Sequence, residues 1–292
     1  MPVTAIYGLF MSVMCGLMDQ NMWPQFGILA VSSYLMVELN NSNALIRVYS
    51  RMVSCSYIML FLMSALLKFP LATGFIQLFF IAFYLFFFHA YQNKSSMGLV
   101  FYAFLMLGIA STMSAHVLFL VPLMWILLFT NVLAGNLRTF FASVIGLPYW
   151  FLISYYVYTE NVDAFISHFT GLATFGKLFD YTVLTPNNIV VYAMLVLLMA
   201  TGIIHFHRNS YKDKIRTRMI YEVFSVASIY VAVIIALQPN LYQYLIGILV
   251  VNVSPLIAHF VVFTRTRLTN MAFFFMIAVI FMITLFNIWM PL

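Results

Sequence analysis

The feature that most constrains this chain is the recurrence of apolar segments with only short polar breaks between them. Hydrophobic residues make up 65% of the 292 residues and charged residues only 7%, against about 25% charged in soluble domains. Such a chain cannot build a water-facing surface, so its solvent must be lipid. Because a bilayer core takes roughly 20 apolar residues per helix, the pattern predicts an all-α, polytopic transmembrane helical bundle, a single integral membrane domain over residues 1–292.

We predict about eleven spans from the positions of these apolar segments. The first segments are short for a helix that crosses the bilayer at right angles. One of the first two is therefore a span, a re-entrant helix or an interfacial helix. The number of spans therefore lies between ten and twelve. The predicted segments are 3–18, 25–39, 52–67, 71–91, 97–113, 117–133, 139–158, 188–206, 219–237, 241–263 and 269–290.

The Lys and Arg residues predict the orientation. Five of them lie in the connection 207–218 with a single acid, Asp213, and cytoplasmic connections are the ones that carry such an excess. If this connection is cytoplasmic, alternation leaves only Lys68 and Lys177 outside, out of 13 Lys and Arg residues. The N-terminus is then cytoplasmic and the C-terminus is outside. The inside residues are Arg47, Arg51, Lys94, Arg138, Arg208, Lys212, Lys214, Arg216, Arg218, Arg265 and Arg267.

The longest connection, residues 159–187, falls on the outside. Phe165, Phe169 and Leu172 recur in it at helical spacing. This spacing favours an amphipathic interfacial helix along the outer headgroup layer. A plain linker that dips toward lipid is the alternative.

Charge and cysteine usage argue against several classes of function. The net charge of +6 comes from residues scattered between spans, where they set orientation, so no nucleic-acid partner is expected. Cys15 and Cys55 lack a partner spacing, and His205 and His207 point to nearly opposite sides of a helix, so we expect no metal and no cofactor. No Asp, Glu, Lys or Arg lies near the middle of a span, which disfavours an ion-coupled transporter.

The polar residues on the outside are candidates for a catalytic site. Asp19 directly follows the first span and is placed to act as a general base on a hydroxyl acceptor, with His116 as a second catalytic or positioning group. Lys68, Lys177 and His168 are candidates to bind the substrate, the two lysines through a phosphate. The alternative for Asp19 is that it only marks a helix end, and for His116 that it caps a helix or snorkels.

The tenth segment carries a polar stripe. Asn252, Pro255 and His259 are three and four residues apart and therefore share one side of a helix. Proline frees a backbone carbonyl, which Asn and His can satisfy or which a wet cavity can receive. Asn252 and His259 are either substrate-binding residues along a path or polar contacts between helices.

Three stretches of the chain carry a resemblance to known proteins. They are Asn-Asn-Ser-Asn-Ala-Leu-Ile-Arg-Val-Tyr-Ser-Arg at 40–51, the run from Val-Pro-Leu-Met-Trp-Ile to Gly-Leu-Pro-Tyr-Trp-Phe at 121–151, and the run from Ser-Pro-Leu-Ile-Ala-His-Phe to Thr-Arg-Leu-Thr-Asn at 254–270. They resemble a bacterial multi-span inner-membrane family without an assigned activity. That family is distantly similar in layout to GT-C glycosyltransferases and lipid-linked glycan polymerases. The resemblance implies the bacterial inner membrane, a chamber that opens outward, and Asp19 as the first-loop acid.

Three functions follow as hypotheses. The leading one is a protein of cell-envelope biogenesis that handles polyprenyl-linked sugars at the outer face, with membrane lipids and a polyprenyl-phosphate carrier as partners. The second is a noncatalytic scaffold subunit that holds other envelope proteins. The third is a permease for an uncharged or lipid-like solute, which would pass Asn252 and His259.

Overall fold

The computed structural model describes residues 2–14, 22–148, 178–263 and 267–289, together with 155, 162–163, 166–167 and 170. The described chain is all-helical, as predicted, and contains no strand. Each predicted apolar segment overlaps one α-helix of the described residues. The helices are α1 (Pro2–Met14), α2 (Trp23–Asn43), α3 (Met52–Met63), α4 (Leu71–His89), α5 (Met97–Met113), α6 (Leu120–Thr130), α7 (Leu137–Gly146), α8 (Pro186–Asn209), α9 (Ile215–Leu237), α10 (Tyr242–Phe263) and α11 (Arg267–Trp289).

Five helical segments of the described chain are long and apolar enough to cross a membrane. The protein is therefore a membrane protein, although the remaining helices are too short or too polar to be assigned as spans by this criterion. The five segments are Leu71–His89, Pro186–Lys212, Ile215–Leu237, Pro239–Phe263 and Thr269–Asn287.

Proline explains two places where the helices depart from the predicted segments. Pro122 has no N–H, and its ring would clash with the carbonyl of Leu118 in a continuous α-helix. The chain accordingly forms a 3₁₀ turn over Ala115–Phe119 before α6 begins. Before Pro148, Leu147 is extended (φ −68°, ψ 117°) and α7 ends at Gly146, because a residue before proline avoids the helical conformation.

Four connections meet at one end of the bundle, which we call the charged end. The Arg47 guanidinium, between α2 and α3, donates to the Lys212 carbonyl after α8 (3.2 Å). Arg216, at the start of α9, donates to the Phe88 carbonyl at the end of α4 (3.2 Å). The Gln92 amide donates to the Val132 carbonyl after α6 (2.9 Å). Successive helices therefore run in alternating directions.

The connections between α3 and α4, between α5 and α6 and between α9 and α10 lie at the opposite end. The Lys68 ammonium, before α4, donates to the Asn287 carbonyl near the end of α11 (2.7 Å). The Tyr230 hydroxyl of α9 donates to the Phe119 carbonyl (2.8 Å). The start of α10 lies at this end as well, since the rings of Tyr244 and His116 stack at 6.4 Å.

The basic residues are sorted between these two ends. Lys68 is the one described Lys or Arg at the opposite end, and every other described Lys or Arg lies in, or within one helical turn of, a connection at the charged end. Those residues are Arg47, Arg51, Lys94, Arg138, Arg208, Lys212, Lys214, Arg216, Arg218 and Arg267.

The centre of the bundle is α10, which is buried along almost its whole length. It packs against α3, α4, α8 and α9. A cluster of aromatic side chains surrounds it on α4, α5 and α9, with Phe83 and Phe104 edge to face at 5.8 Å and Tyr84 and Phe224 at 5.1 Å. This dry, aromatic core holds α10 in one orientation, so the side chains at its two ends are held at defined positions.

Candidate functional site

A cavity of about 690 Å³ opens at the charged end. It lies between α8, the last turn of α10, the first turn of α11 and the connection from α2 to α3. Three cations line it, Arg47, Arg208 and Lys212. Its other lining residues are Thr201, Ile204, His205, Asn209, Phe260, Phe263 and Thr269. We call this cavity the cationic pocket.

One face of α8 forms the longest wall of the cationic pocket. Thr201, His205 and Arg208 are three or four residues apart and therefore lie above one another on this face, and Lys212 follows in the 3₁₀ turn Ser210–Lys212. Thr201 and Arg208 are seven residues apart, which corresponds to about 10 Å along a helix. The wall thus extends from the charged end well into the apolar depth of the bundle. Asn209 connects neighbouring turns, since its Nδ2 donates to the His205 carbonyl (3.0 Å).

A buried acid and histidine lie beside the pocket. His259 of α10 has an exposed fraction of 1%, and its Nε2 is 3.1 Å from Oδ2 of Asp213, whose side chain is 4% exposed. The carboxylate accepts the hydrogen bond, so neutral His259 carries its proton on Nε2 and presents Nδ1 as an acceptor. Buried polar groups of this kind are costly unless they are paired. The pair joins α10 to the connection between α8 and α9.

Arg47 lines the pocket from the connection between α2 and α3 and contacts the Lys212 carbonyl. Its Nη1 is 3.9 Å from Oδ1 of Asp213, and its guanidinium lies over the ring of Phe263 at 4.3 Å. The guanidinium is therefore held by three neighbours while 37% of its side chain remains exposed. This exposed part of Arg47 can contact an anion in the cavity.

His205 connects the open cavity to the buried pair. Its ring is edge to face with that of His259 at 5.5 Å and with that of Phe260 at 5.1 Å. The described residues around the cavity hold no group of three or more His, Cys, Asp and Glu side chains arranged for a metal ion. The chemistry that the cavity offers is therefore cationic and aromatic, with Asp213 as its one adjacent acid among the described contacts.

Asn252 and His259, which share a stripe on α10, have different surroundings. Asn252 is fully buried, and its Oδ1 accepts a hydrogen bond from the Tyr84 hydroxyl of α4 at 2.6 Å. This is a helix-to-helix contact in a fully buried part of the bundle. His259 lies almost two turns further toward the charged end, beside the cationic pocket.

Lys68 and His116 lie at the opposite end of the bundle. Lys68 binds the Asn287 carbonyl, and His116 lies 3.4 Å from Ser114 Oγ through its Nδ1 and stacks on Tyr244. Tyr244 precedes His259 on α10 by 15 residues, about 22 Å along the helix. His116 and His259 therefore cannot belong to one small site.

The remaining predicted site residues, Asp19, His168 and Lys177, lie outside the described residues. Most of the predicted interfacial helix in 159–187 lies outside them too. The structure therefore gives no geometry for the proposed general base or for the outer phosphate contact.

Sequence reasoning missed the residues that form the cationic pocket. Arg208 and Lys212 were interpreted only as determinants of orientation, and Asp213 only as the single acid among them. The available signal was the spacing of His205, Arg208 and Lys212, which predicts an imidazole and two cations on one side of a helix that continues to Lys212; in the structure Lys212 lies in the 3₁₀ turn after α8. The contribution of Arg47 had no local signal, because it lies 165 residues from Lys212 in the chain.

Comparisons with known proteins yield no relative for this chain. No family model, no curated protein and no solved structure matches it. The interpretation of the pocket therefore depends on its own geometry and charge.

Proposed function

We propose that the chain is a protein of the bacterial inner membrane, with about eleven spans and a cytoplasmic N-terminus. The support is the alternation of the described helices between two ends and the sorting of Lys and Arg to one of them. Loops rich in Lys and Arg are retained in the cytoplasm. On this assignment the charged end, and with it the cationic pocket, faces the cytoplasmic leaflet.

We propose further that the protein binds a phosphate-bearing lipid in the cationic pocket, as part of cell-envelope biogenesis. The single observation that carries this proposal is the pairing of three cations with an apolar wall in one cavity. A phosphate or pyrophosphate matches the cations, and a hydrocarbon chain matches Ile204, Phe260 and Phe263. A polyprenyl-phosphate carrier combines both chemistries in one molecule.

The geometry of the cations favours a phosphate. Guanidinium groups bind phosphate oxygens through two parallel hydrogen bonds, and Lys binds them as a point charge. Arg208 lies in the last turn of α8, Lys212 lies in the 3₁₀ turn that follows it, and Arg47 lines the same cavity from the connection between α2 and α3. An anion in the cavity would have three cations among its surroundings. Asp213 offsets part of the positive charge and keeps Arg47 oriented when the cavity is empty of anion.

The cationic pocket lies at the end of the bundle opposite to Lys68 and His116. Transfer of sugar at the outer face, with Asp19 as general base, remains a separate part of the proposal. Its direct test is the Asp19→Asn variant, which should lose glycan transfer in a reconstituted assay. Full activity of that variant would remove Asp19 from the mechanism without affecting the cationic pocket.

The experiment measures lipid binding by the full-length protein in nanodiscs of phosphatidylcholine. Undecaprenyl phosphate is titrated, and inorganic phosphate and phosphatidylglycerol are titrated separately. We expect undecaprenyl phosphate to bind and Arg208→Gln and Lys212→Gln each to weaken it about tenfold, since a hydrogen bond to a charged group contributes about 1.5 kcal/mol.

Lys214→Gln is the matched control, because Lys214 is exposed in the same connection and does not line the cavity. Its affinity should equal that of the unaltered protein. Binding that is indifferent to Arg208 and Lys212, or as strong for inorganic phosphate as for the lipid, would contradict the proposal. Preferential binding of phosphatidylglycerol would show that the ligand is an ordinary membrane lipid and not the polyprenyl carrier.

A further inference from the structure

A second, smaller crevice of about 100 Å³ lies between α1, α3, α10 and α11. Its lining is almost wholly apolar. The side chains that matter for the argument are Cys55, Met59, Ile257, Val261, Phe273 and Met276. Because it has no charged lining residue, the crevice suits hydrocarbon and not a headgroup.

Residues that line the crevice and residues that line the cationic pocket are close to one another on two helices. On α11, Thr269 lines the pocket and Phe273, one turn later, lines the crevice. On α10, Phe260 and Val261 are consecutive residues, and the first lines the pocket while the second lines the crevice. One turn of helix rises about 5.4 Å. The two spaces are thus neighbours beneath the first turns of α11.

We propose that the crevice receives the hydrocarbon chain of the lipid whose phosphate occupies the cationic pocket. This inference rests on the proposed function and adds to it the route of the chain. The phosphate belongs in the pocket and the hydrocarbon chain in the crevice, because the cations Arg47, Arg208 and Lys212 all line the pocket. A chain that leaves the headgroup toward α11 exchanges bilayer contacts for contacts with Val261, Phe273 and Met276.

Cys55 provides a direct probe of the crevice. It lines the crevice, is 4% exposed, and its Sγ accepts a hydrogen bond from Thr4 Oγ1 at 3.3 Å. In a Cys15→Ser background Cys55 is the only thiol, since the chain contains two cysteines. The experiment measures the rate at which N-ethylmaleimide modifies Cys55 in nanodiscs, with and without saturating ligand.

Undecaprenyl phosphate should slow the modification of Cys55 at least tenfold, and dimethylallyl phosphate, with its short chain, should not slow it. If undecaprenyl phosphate binds but Cys55 is modified at the same rate with both ligands, the proposed route of the chain is wrong. The proposed phosphate site in the cationic pocket would be unaffected by that result. Absence of binding by either ligand would overturn the proposed function and the route together.

A pair of variants tests the same route by affinity. Val261→Phe fills the crevice and should weaken undecaprenyl phosphate about tenfold while leaving dimethylallyl phosphate unchanged. Met271→Phe on α11 is the control, because Met271 is 68% exposed and lines neither space. An unchanged affinity in a folded Val261→Phe protein would contradict the inference. Arg208→Gln should weaken both ligands, which separates headgroup from chain.

Discussion

Asp213 is the residue on which the geometry of the cationic pocket depends most directly. Its two carboxylate oxygens face two different elements, Oδ2 toward His259 of α10 and Oδ1 toward Arg47 of the connection before α3. A carboxylate with this degree of burial is stable as an anion only beside hydrogen-bond donors and positive charge. Asp213 therefore orients both partners, Arg47 in the lining of the pocket and His259 beside it.

Replacement of Asp213 by Ala should lower the free energy of unfolding by about 2 kcal/mol, the usual contribution of a hydrogen bond to a charged group. The measurement is unfolding of the purified protein in mixed micelles of dodecyl maltoside and dodecyl sulfate. Lys214→Ala, one position along in the chain and exposed, should change the value by less than about 0.5 kcal/mol. An equal effect of the two variants would show that the carboxylate has no structural role.

At the scale of helices, α10 is positioned by two kinds of contact. Tyr84 of α4 donates its hydroxyl proton to Asn252 at 2.6 Å, a directional bond in an otherwise apolar environment. On the other side Gly202 of α8 packs so closely that an added Cβ would lie 2.9 Å from the Cβ of Leu256. Small residues allow membrane helices to approach in this way. The contact brings the polar face of α8 to the end of α10.

A double-mutant cycle with Tyr84→Phe and Asn252→Val should give a coupling energy of about 0.6 to 1.7 kcal/mol, the range for side-chain hydrogen bonds between membrane helices. Unfolding in mixed micelles gives the free energies of the unaltered protein, the two single variants and the double variant. Additive effects of the two substitutions would mean that the bond between α4 and α10 does not contribute.

Gly202→Ala should destabilise the protein by about 1 to 3 kcal/mol, because the extra methyl group forces α8 away from α10. The displacement should also weaken binding of undecaprenyl phosphate, since α8 carries Arg208 and leads directly into the turn that carries Lys212. Gly27→Ala in α2 is the control, as no atom lies within 4 Å of the added Cβ. That change should leave stability the same or raise it by up to about 1 kcal/mol. Equal stability of both variants would contradict the close packing.

At the scale of the whole molecule, the sorting of basic residues gives the bundle two chemically different ends. Arg216 adds to this by joining three elements at the charged end, where its Nη2 donates to Asn43 Oδ1 (2.9 Å) and to the Phe88 carbonyl. The opposite end is joined by contacts such as that of Lys68 with Asn287. A lipid phosphate in the cationic pocket would come from the leaflet that the charged end faces.

The orientation predicts opposite reactivity of two engineered cysteines. In a background without Cys15 and Cys55, Lys214→Cys should react with a membrane-impermeant maleimide only from the cytoplasmic side, and Lys177→Cys only from the outside. The assay compares intact cells with inverted membrane vesicles. The reverse pattern would invert the topology and transfer the cationic pocket to the outer leaflet.

The amino-acid sequence by itself determined that the solvent is lipid, where the helices lie, and that Lys and Arg gather at alternate connections. These properties depend on local composition and on the length of apolar segments, which each segment carries independently of the others. Where local chemistry was special, as at Pro122 and Pro148, it also shifted the ends of the helices.

The tertiary structure alone decided that Arg47, Asp213 and His259 meet and that His259 and Asn252 have different surroundings. Helix positions follow from periodicity, but the rotation of each helix and its choice of neighbours depend on packing among all of them. Asp213 and His259 are 46 residues apart, and Arg47 and Lys212 are 165 apart. No local pattern encodes such contacts, because they exist only once α2, α8 and α10 have packed.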